Sequence, residues 1–293
     1  MTATVSKTEG LKIAKDGDTI SPKGNEVWVV IEGRVRVKNQ SGGWCIVYGD
    51  AMIVSENQTG GYCGAFGKAV LISKNQAGGD CAAFDNAILT SESRSGGCCK
   101  VYDDVILAIN DQTGGYCEAH DNATLASKNQ SSGFCEAYNN AALTIENLCG
   151  GLCWACDNTT LTSSNQAGGS CTAFHNATLT SENQSGGTCW ADGNAILTSN
   201  GQSGGKCRAR SRAVLTSRNQ SGGFCGVFGN AALTSENQTG GLCEAFHNAT
   251  LISENQSGGV CRGYNDATLT SKDRSGGSCD AFGNATLIEN GEQ

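Results

Sequence analysis

Residues 170–187 read SCTAFHNATLTSENQSGG, and residues 188–205 repeat the same pattern as TCWADGNAILTSNGQSGG. The unit is 18 residues long, and its cysteine marks the period along most of the chain. Val27 holds the same phase one unit before the first of these cysteines. Such a repeat predicts a solenoid of stacked coils. Of the 17 cysteines, 14 lie in this register: Cys45, Cys63, Cys81, Cys99, Cys117, Cys135, Cys153, Cys171, Cys189, Cys207, Cys225, Cys243, Cys261 and Cys279.

Other positions of the unit recur with the same step. The eighth residue after the cysteine forms an apolar column that starts at Ile53 and is leucine from Leu71 to Leu287. Alanine is commonest two and six residues after the cysteine, and serine is commonest ten residues after it. Side chains alternate between two faces along a strand, so cysteine, leucine and the small residues are expected to fill a narrow core. A Gly-Gly pair closes most units and predicts positive φ at the tightest corner.

Alternating segments begin at three points of the unit, six residues apart. The sequence therefore predicts an all-β, single-domain parallel β-solenoid of about 15 coils, with three short strands per coil and a roughly triangular cross-section. The alternation and the Gly-Gly breaks oppose an amphipathic helix. In-register stacking at about 4.8 Å predicts a rod about 70 Å long. Residues 1–26 are predicted as an N-terminal cap, residues 27–288 as the solenoid and residues 289–293 as a short C-terminal tail.

Two further columns are expected to form ladders along the solenoid axis. Asparagine, twelve residues after the cysteine in most units, can pair its side-chain amides from coil to coil. An aromatic residue usually stands three residues after the cysteine, and Asp192 and Arg210 replace it on adjacent coils, where they can form an ion pair. The aromatic column comprises Tyr48, Phe66, Phe84, Tyr102, Tyr138, Phe174, Phe228, Phe246, Tyr264 and Phe282.

The segments AFHNATLTSENQSGG at 173–187, GYNDATLTSK at 263–272 and AFGNATLIEN at 281–290 carry a family resemblance. They resemble the repetitive β-helix proteins of bacteria and phages, which are built from A-x-V-x-A-aromatic-Gly-Asn units. The resemblance covers residues 27–288 and implies the fold, but it implies no particular activity. The chain departs from that pattern in its NQSGG corner and its cysteine column. The six-residue spacing also resembles left-handed hexapeptide-repeat helices, and the handedness stays open.

Threonine recurs on the outward positions of the leucine segment, seven and nine residues after the cysteine. The pattern resembles the flat Thr-x-Thr arrays of β-solenoid antifreeze proteins, which implies a face that orders water to match ice. Threonine is also a favourable outward residue on any β-face, which is the favoured interpretation, and ice binding is the alternative. The candidate ice-binding residues are Thr144, Thr160, Thr162, Thr178, Thr180, Thr198, Thr216, Thr234, Thr250, Thr268, Thr270 and Thr286.

The cysteine column has three interpretations. As small apolar residues the thiols fill the core, which is the favoured one. Disulfides between stacked cysteines have poor geometry, and a column of sulfur atoms does not surround an ion tetrahedrally. We therefore expect reduced thiols and no metal or other cofactor, which suits a reducing environment such as cytoplasmic synthesis or a virion component. Cys98, Cys149 and Cys156 lie outside the register.

One coil is locally basic and is a candidate docking patch, although a solvated charged cluster is the favoured explanation. The chain's net charge of -8 disfavours binding to nucleic acid or to an anionic membrane. No apolar stretch suggests a signal peptide or a membrane span. The basic residues are Lys206, Arg208, Arg210, Arg212 and Arg218.

Catalytic residues are hard to place in this sequence. The three histidines, His120, His175 and His247, stand on coils far apart, without a repeated acidic or nucleophilic partner. We expect a non-enzymatic rigid rod that acts as a spacer, scaffold or self-assembling element, and the resemblance implies a phage or bacterial origin. Its thinly covered C-terminal coil would pair with a partner or with another copy of the chain. Ice binding by the threonine face is the alternative.

Overall fold

The computed structural model describes residues 11–290 and shows an all-β parallel β-solenoid of about 16 turns. Within this range the chain contains no helix. Each turn supplies two strands, because each has two alternating segments that stack on the equivalent segments of neighbouring turns. This confirms the predicted fold class and the repeat of about 18 residues.

The first strand of each turn carries the cysteine column in all turns from β5 onward. These cysteine strands are β1 Leu11–Ala14, β3 Val27–Val30, β5 Trp44–Val47, β7 Tyr62–Ala65, β9 Asp80–Ala83, β11 Cys98–Val101, β13 Tyr116–Ala119, β15 Phe134–Ala137, β17 Leu152–Ala155, β19 Ser170–Ala173, β21 Thr188–Ala191, β23 Lys206–Ala209, β25 Phe224–Phe228, β27 Leu242–Phe246, β29 Val260–Tyr264 and β31 Ser278–Phe282.

The second strand of each turn carries the leucine column. These leucine strands are β2 Thr19–Ile20, β4 Arg34–Val37, β6 Met52–Gln58, β8 Val70–Gln76, β10 Ile88–Arg94, β12 Ile106–Gln112, β14 Thr124–Gln130, β16 Ala142–Leu148, β18 Thr160–Ser164, β20 Thr178–Glu182, β22 Ile196–Asn200, β24 Val214–Arg218, β26 Ala232–Glu236, β28 Thr250–Glu254, β30 Thr268–Lys272 and β32 Thr286–Asn290.

The turns fall into two compact units, one ending at Ser127 and the other beginning at Lys128. In the first unit the cysteine strands follow one another in parallel from β1 to β13, and the leucine strands do so from β2 to β12. In the second unit the order runs from β15 to β31 and from β16 to β32. Each unit thus has two parallel sheets, which we call the cysteine sheet and the leucine sheet.

The prediction of three strands per coil is wrong, since each turn has two. The segment expected to be a third strand either extends the leucine strand, as in Met52–Gln58, or forms a bend, as after Glu182. The bend arises where Asn183 takes a left-handed conformation with φ of 52°, which ends the extended backbone.

Strand pairing also reaches into the segment that was predicted as an N-terminal cap. Leu11 pairs with Val27 and Thr19 pairs with Arg36, so the first turn already belongs to both sheets. The residue that aligns with Cys45 is Trp28, and Val27 pairs with Trp44. The predicted place of Val27 in the cysteine column is therefore wrong, because the turn before Cys45 is one residue shorter.

The inward columns form a narrow core in each unit. Cys45 and Ile53 begin columns of cysteine and leucine side chains that are almost wholly buried as far as Cys279 and Leu269. Alanine and serine fill the remaining inward positions, as at Ala177. Because each turn adds the same small set of side chains, the packing of one turn is repeated in the next.

Glycine at the closing corner is required by both backbone conformation and space. Gly187 has a φ of 72°, and a Cβ atom there would lie 2.5 Å from the carbonyl oxygen of Gly168 in the preceding turn. At Gly186 a Cβ would lie 2.1 Å from the carbonyl oxygen of Ala167. At Gly186 and Gly187 the corner therefore leaves no room for a Cβ atom unless the preceding turn shifts.

The predicted aromatic column stacks within each unit. Phe66 and Phe84 lie with ring centroids 4.8 Å apart and planes 7° from parallel, and Phe246 and Tyr264 repeat this geometry. Where the column is interrupted, Arg210 Nε lies 3.8 Å from Asp192 Oδ2, which confirms the expected ion pair.

Candidate functional sites

A column of buried glutamine side chains runs beside the cysteine column, and the sequence analysis missed it. The glutamine stands thirteen residues after the cysteine, at Gln58, Gln76 and equivalent positions up to Gln256. Gln184 and Gln220 are fully buried, whereas the asparagines before them, Asn183 and Asn219, are exposed. The period of these glutamines was visible in the sequence, but strict strand alternation assigned them to the outside.

Each glutamine amide links its own corner to the next turn. Gln202 Nε2 lies 3.4 Å from the carbonyl oxygens of both Gly205 and Phe224, and its Oε1 accepts a hydrogen bond of 2.9 Å from Cys225 Sγ. The same sulfur-to-amide contact joins Cys207 to Gln184 and Cys261 to Gln238. In the turns that carry both residues, the cysteine column is therefore a hydrogen-bonded ladder of thiols and amides, because the S–H group has an acceptor inside the core.

The core thiols are free, and the pKa of several of them is raised. None of the 17 cysteines forms a disulfide. Hydrogen bonds that the Cys225 thiol makes to the stacked sulfurs of Cys207 and Cys243, together with burial, raise the pKa of Cys225 well above the usual value, and the pKa of Cys189 is raised in the same way. Protonated thiols can donate to the glutamine oxygens, so the ionisation state and the hydrogen-bond ladder agree.

The expected asparagine ladder is present on the surface. Asn183 Nδ2 donates to Asn165 Oδ1 at 3.2 Å, and Asn165 donates to Asn147 at 3.1 Å. A second ladder lies at the turn after the cysteine strand, where Asn194 donates to Asn176 at 3.3 Å. Amides bonded along the axis hold the corners of successive turns in register.

The candidate ice-binding threonines lie on the outer face of the leucine sheet in the second unit. The column nine residues after the cysteine is threonine in six successive turns, and each threonine pairs with its equivalent in the next strand. These residues are Thr144, Thr162, Thr180, Thr198, Thr216 and Thr234. Ile252 interrupts the column before Thr270.

The column seven residues after the cysteine holds threonine in shorter runs. Thr160 pairs with Thr178, and farther along the second unit Thr250, Thr268 and Thr286 follow one another. Ile196 and Val214 stand between these runs and are more than two-fifths exposed. The face thus has one threonine column that is continuous from Thr144 to Thr234, beside a mixed column of threonine and apolar residues. In the first unit the same face is mainly apolar.

The basic residues of one coil are distributed around it. Lys206 and Arg208 lie on the outer face of β23, Arg210 and Arg212 at the following turn, and Arg218 at the end of β24. Arg218 Nε donates to Glu236 Oε2 at 3.0 Å, and the Arg208 guanidinium lies 5.6 Å from the ring centroid of Phe224. The coil therefore presents its charges on two sheets and a corner, and two of its arginines form ion pairs with carboxylates.

Asp192 illustrates how one of these charges is held. Partial burial acts to raise its pKa, but hydrogen bonds from the Ser211 hydroxyl and the Gly193 amide, with the nearby Arg210 charge, lower the pKa overall. The carboxylate is therefore stabilised as an anion.

The histidines and the cysteines outside the register stand on different turns. His175 Nδ1 is 3.2 Å from Asp157 Oδ1, and His120 Nε2 is 3.3 Å from Glu118 Oε2. Cys149 is exposed, whereas burial raises the pKa of Cys98 to about 11. Over residues 11–290, no group of three or more histidine, cysteine or acidic side chains has the arrangement of a metal site.

Two surface depressions are open and shallow. One is lined by the corner glycines beside Trp44, Tyr62 and Asp80, and burial raises the pKa of Tyr62 to about 12. Another, of about 280 Å³, lies between Phe174 and Trp190. Both depressions are lined by equivalent residues of successive turns.

Comparison with models of known protein families, with curated proteins and with solved structures found no match to this chain. In the part of the chain that the structure describes, no helix has the length and apolar character needed to cross a membrane.

Proposed function

We propose that this protein is a non-enzymatic structural element, a rigid β-solenoid that serves as a spacer, scaffold or self-assembling component. The observation that carries the proposal is the contrast between its inward and outward positions. Inward, cysteine, leucine and glutamine recur in nearly every turn. Outward, equivalent positions vary freely, as where Trp190, Arg208 and Gly226 follow one another. What the repeat preserves is the stacked core.

Two ladders support stiffness within each unit. The glutamine amides bond each corner to the next turn inside the core, and the asparagine amides do so outside it. Hydrogen bonds that are buried and repeated resist local opening because each opening breaks contacts with two neighbouring turns.

Hydrogen exchange tests the structural proposal. Backbone amides of the cysteine and leucine strands are expected to show similar, high protection from turn to turn within each unit. Several consecutive turns that exchange rapidly would contradict a uniformly stiff element. Light scattering over a range of concentrations distinguishes the forms of the proposal, because a self-assembling element gains mass with concentration whereas a spacer keeps a constant mass.

Ice binding is a second candidate, and the six-turn threonine column favours it. Its members repeat at the strand spacing of about 4.8 Å on a sheet face, which presents hydroxyl and methyl groups as a regular array. In this proposal the array orders water into an ice-like layer, and the interrupted neighbouring column contributes less. The first unit, whose equivalent face is mainly apolar, would not take part.

Thermal hysteresis of the purified protein tests this candidate. Replacing Thr162, Thr180 and Thr198 by lysine is expected to abolish activity and leave the circular dichroism spectrum unchanged. A matched control replaces Leu152, Ser170 and Thr188, which are aligned on the cysteine sheet, by lysine. Absence of hysteresis in the unsubstituted protein at high concentration, or equal loss in both variants, would remove the ice-binding proposal.

A further inference from the structure

The glutamine column of the first unit is interrupted by an arginine. Arg94 stands where Gln58, Gln76 and Gln112 stand in other turns, and it is fully buried. Arginine keeps its positive charge in proteins, and an uncompensated charge in a core of low polarity is very unfavourable. A negative partner is therefore needed close to the guanidinium.

The contacts of Arg94 identify that partner. Its Nη1 atom donates to Gln76 Oε1 at 2.9 Å and contacts Cys99 Sγ, while Nη2 donates to the carbonyl oxygen of Tyr116 at 2.9 Å. Of these three acceptors, only the sulfur of Cys99 can carry a full negative charge. We propose that Cys99 is a thiolate that forms a buried ion pair with Arg94.

The hydrogen bonds of Cys99 also fit a thiolate. Gln76 Oε1 already accepts from Arg94, and Cys99 Sγ lies 3.4 Å from that oxygen, whereas the corresponding distance is 2.9 Å at Cys63 and 3.3 Å at Cys153. In other turns the sulfur donates to the amide oxygen. At Cys99 the sulfur accepts from the guanidinium, which is the role of a thiolate.

Among the groups that surround Cys99, Arg94 is the cation that faces the core. Cys81 on β9 and Cys117 on β13 lie on either side of Cys99, and Cys98 precedes it in β11. Lys100 of β11 faces outward and lies 2.9 Å from the Glu118 carboxylate. The pKa of Cys99 is well below the usual value, because the neighbouring thiols donate hydrogen bonds to its sulfur and Arg94 supplies a positive charge, although burial opposes ionisation.

A second arginine in the same column pairs with a carboxylate at the surface. Arg274, in the second unit, is exposed and lies 2.7 Å from the Glu289 carboxylate. Arg94 lacks that solvent exposure and relies on a thiol. Ionisation of Cys99 would thus release its proton to solvent as the chain folds and leave the two opposite charges paired in the core.

Ultraviolet difference spectra test the charge state directly. The unsubstituted protein at neutral pH is expected to show the absorbance of one thiolate that R94Q lacks, and C99S is expected to lack it too. R94Q restores the glutamine that other turns already contain, so it should fold normally. Identical thiolate absorbance in the unsubstituted protein and R94Q would overturn the proposal.

A double-mutant cycle provides an independent test. Serine keeps the size and hydrogen bonding of cysteine but does not ionise near neutral pH, so C99S leaves the Arg94 charge unpaired. We expect C99S to raise the unfolding equilibrium constant about tenfold or more beyond the matched change C225S, whose turn carries a glutamine. In the R94Q background this excess should vanish. An excess that persists there, or equal costs for C99S and C225S, would show that Cys99 is a neutral thiol.

Discussion

At the scale of single residues, the fold depends on polar groups that are satisfied inside the core. Leu148 is the one leucine of the glutamine column. The expected acceptor for Cys171, which is the amide oxygen 23 residues earlier in other turns, is therefore absent. The chain itself thus supplies a natural comparison between an apolar and an amide side chain in the same environment.

Replacing Leu148 by glutamine should extend the ladder and increase stability by about 1 kcal/mol, the usual net value of a hydrogen bond. The gain would come from an acceptor for Cys171 and donors to the nearby carbonyl groups. Chemical denaturation measures the change. A loss of more than about 1 kcal/mol would show that the site has no room for the amide.

The reverse experiment uses Gln202. Alanine at this position leaves Cys225 Sγ and two carbonyl groups without their partner and creates a cavity, so we expect a loss of about 2–4 kcal/mol. Leucine removes the same hydrogen bonds but fills the space, as it does at Leu148, and should cost less. Urea midpoints for the two variants provide the comparison. An equal cost would mean that the cavity contributes little.

At the scale of the strand and corner, the asparagines of the later turns have two separate roles. Asn183 adopts positive φ and also bonds to Asn165. Gly201 occupies the same column one turn later with a φ of 69°. Glycine therefore meets the conformational requirement and lacks the amide, whereas alanine meets neither requirement.

We expect Asn183→Ala to lower stability by about 1–2 kcal/mol, because the left-handed backbone is strained for alanine and the amide bond is lost. Asn183→Gly should cost less than half of this, since only the ladder is affected. Thermal unfolding of the two variants separates the roles. If both cost the same, the amide ladder and not the backbone conformation governs the corner.

The same elements show how far sequence could predict this structure. The inward leucine and cysteine columns and the stacked aromatic rings follow from an exact repeat combined with strand alternation, so they were predictable. The buried glutamines were not, because alternation fails between the leucine strand and the corner. Glu56 and Asn57 both face away from the core, and Gln58 then turns inward. In later turns the positive φ of Asn183 has the same effect before Gln184.

The candidate sites were predictable only as columns of residues. Sequence placed Thr162 and Thr180 in one column, and the pairing register confirms their alignment. It could not predict the ion pair between Arg218 and Glu236, because both residues stand where other turns carry different polar side chains. The contact of Arg94 with Cys99 was also outside its reach, since that contact depends on the inward turn of the column.

At the scale of the whole molecule, the thiol ladder couples stability to pH. Burial and stacked thiols keep the pKa of Cys171, Cys189 and Cys225 well above the ordinary value. In the unfolded chain cysteines titrate near pH 8.5. A raised pKa in the folded state means that the stability contribution is complete below about pH 8.5 and is lost as the pH rises above it.

The free energy of unfolding should therefore fall steeply above about pH 8.5, because each thiol that ionises only on unfolding contributes up to about 1.4 kcal/mol per pH unit. Urea midpoints measured between pH 7 and pH 10 check this slope. A variant with alanine at Cys189 and Cys225 has two fewer such thiols and should show a shallower fall from its lower starting stability. If the free energy of unfolding falls equally steeply in the variant and in the unsubstituted protein, groups other than these thiols cause the alkaline sensitivity. Cys99, as a thiolate in the folded protein, should contribute nothing to the fall.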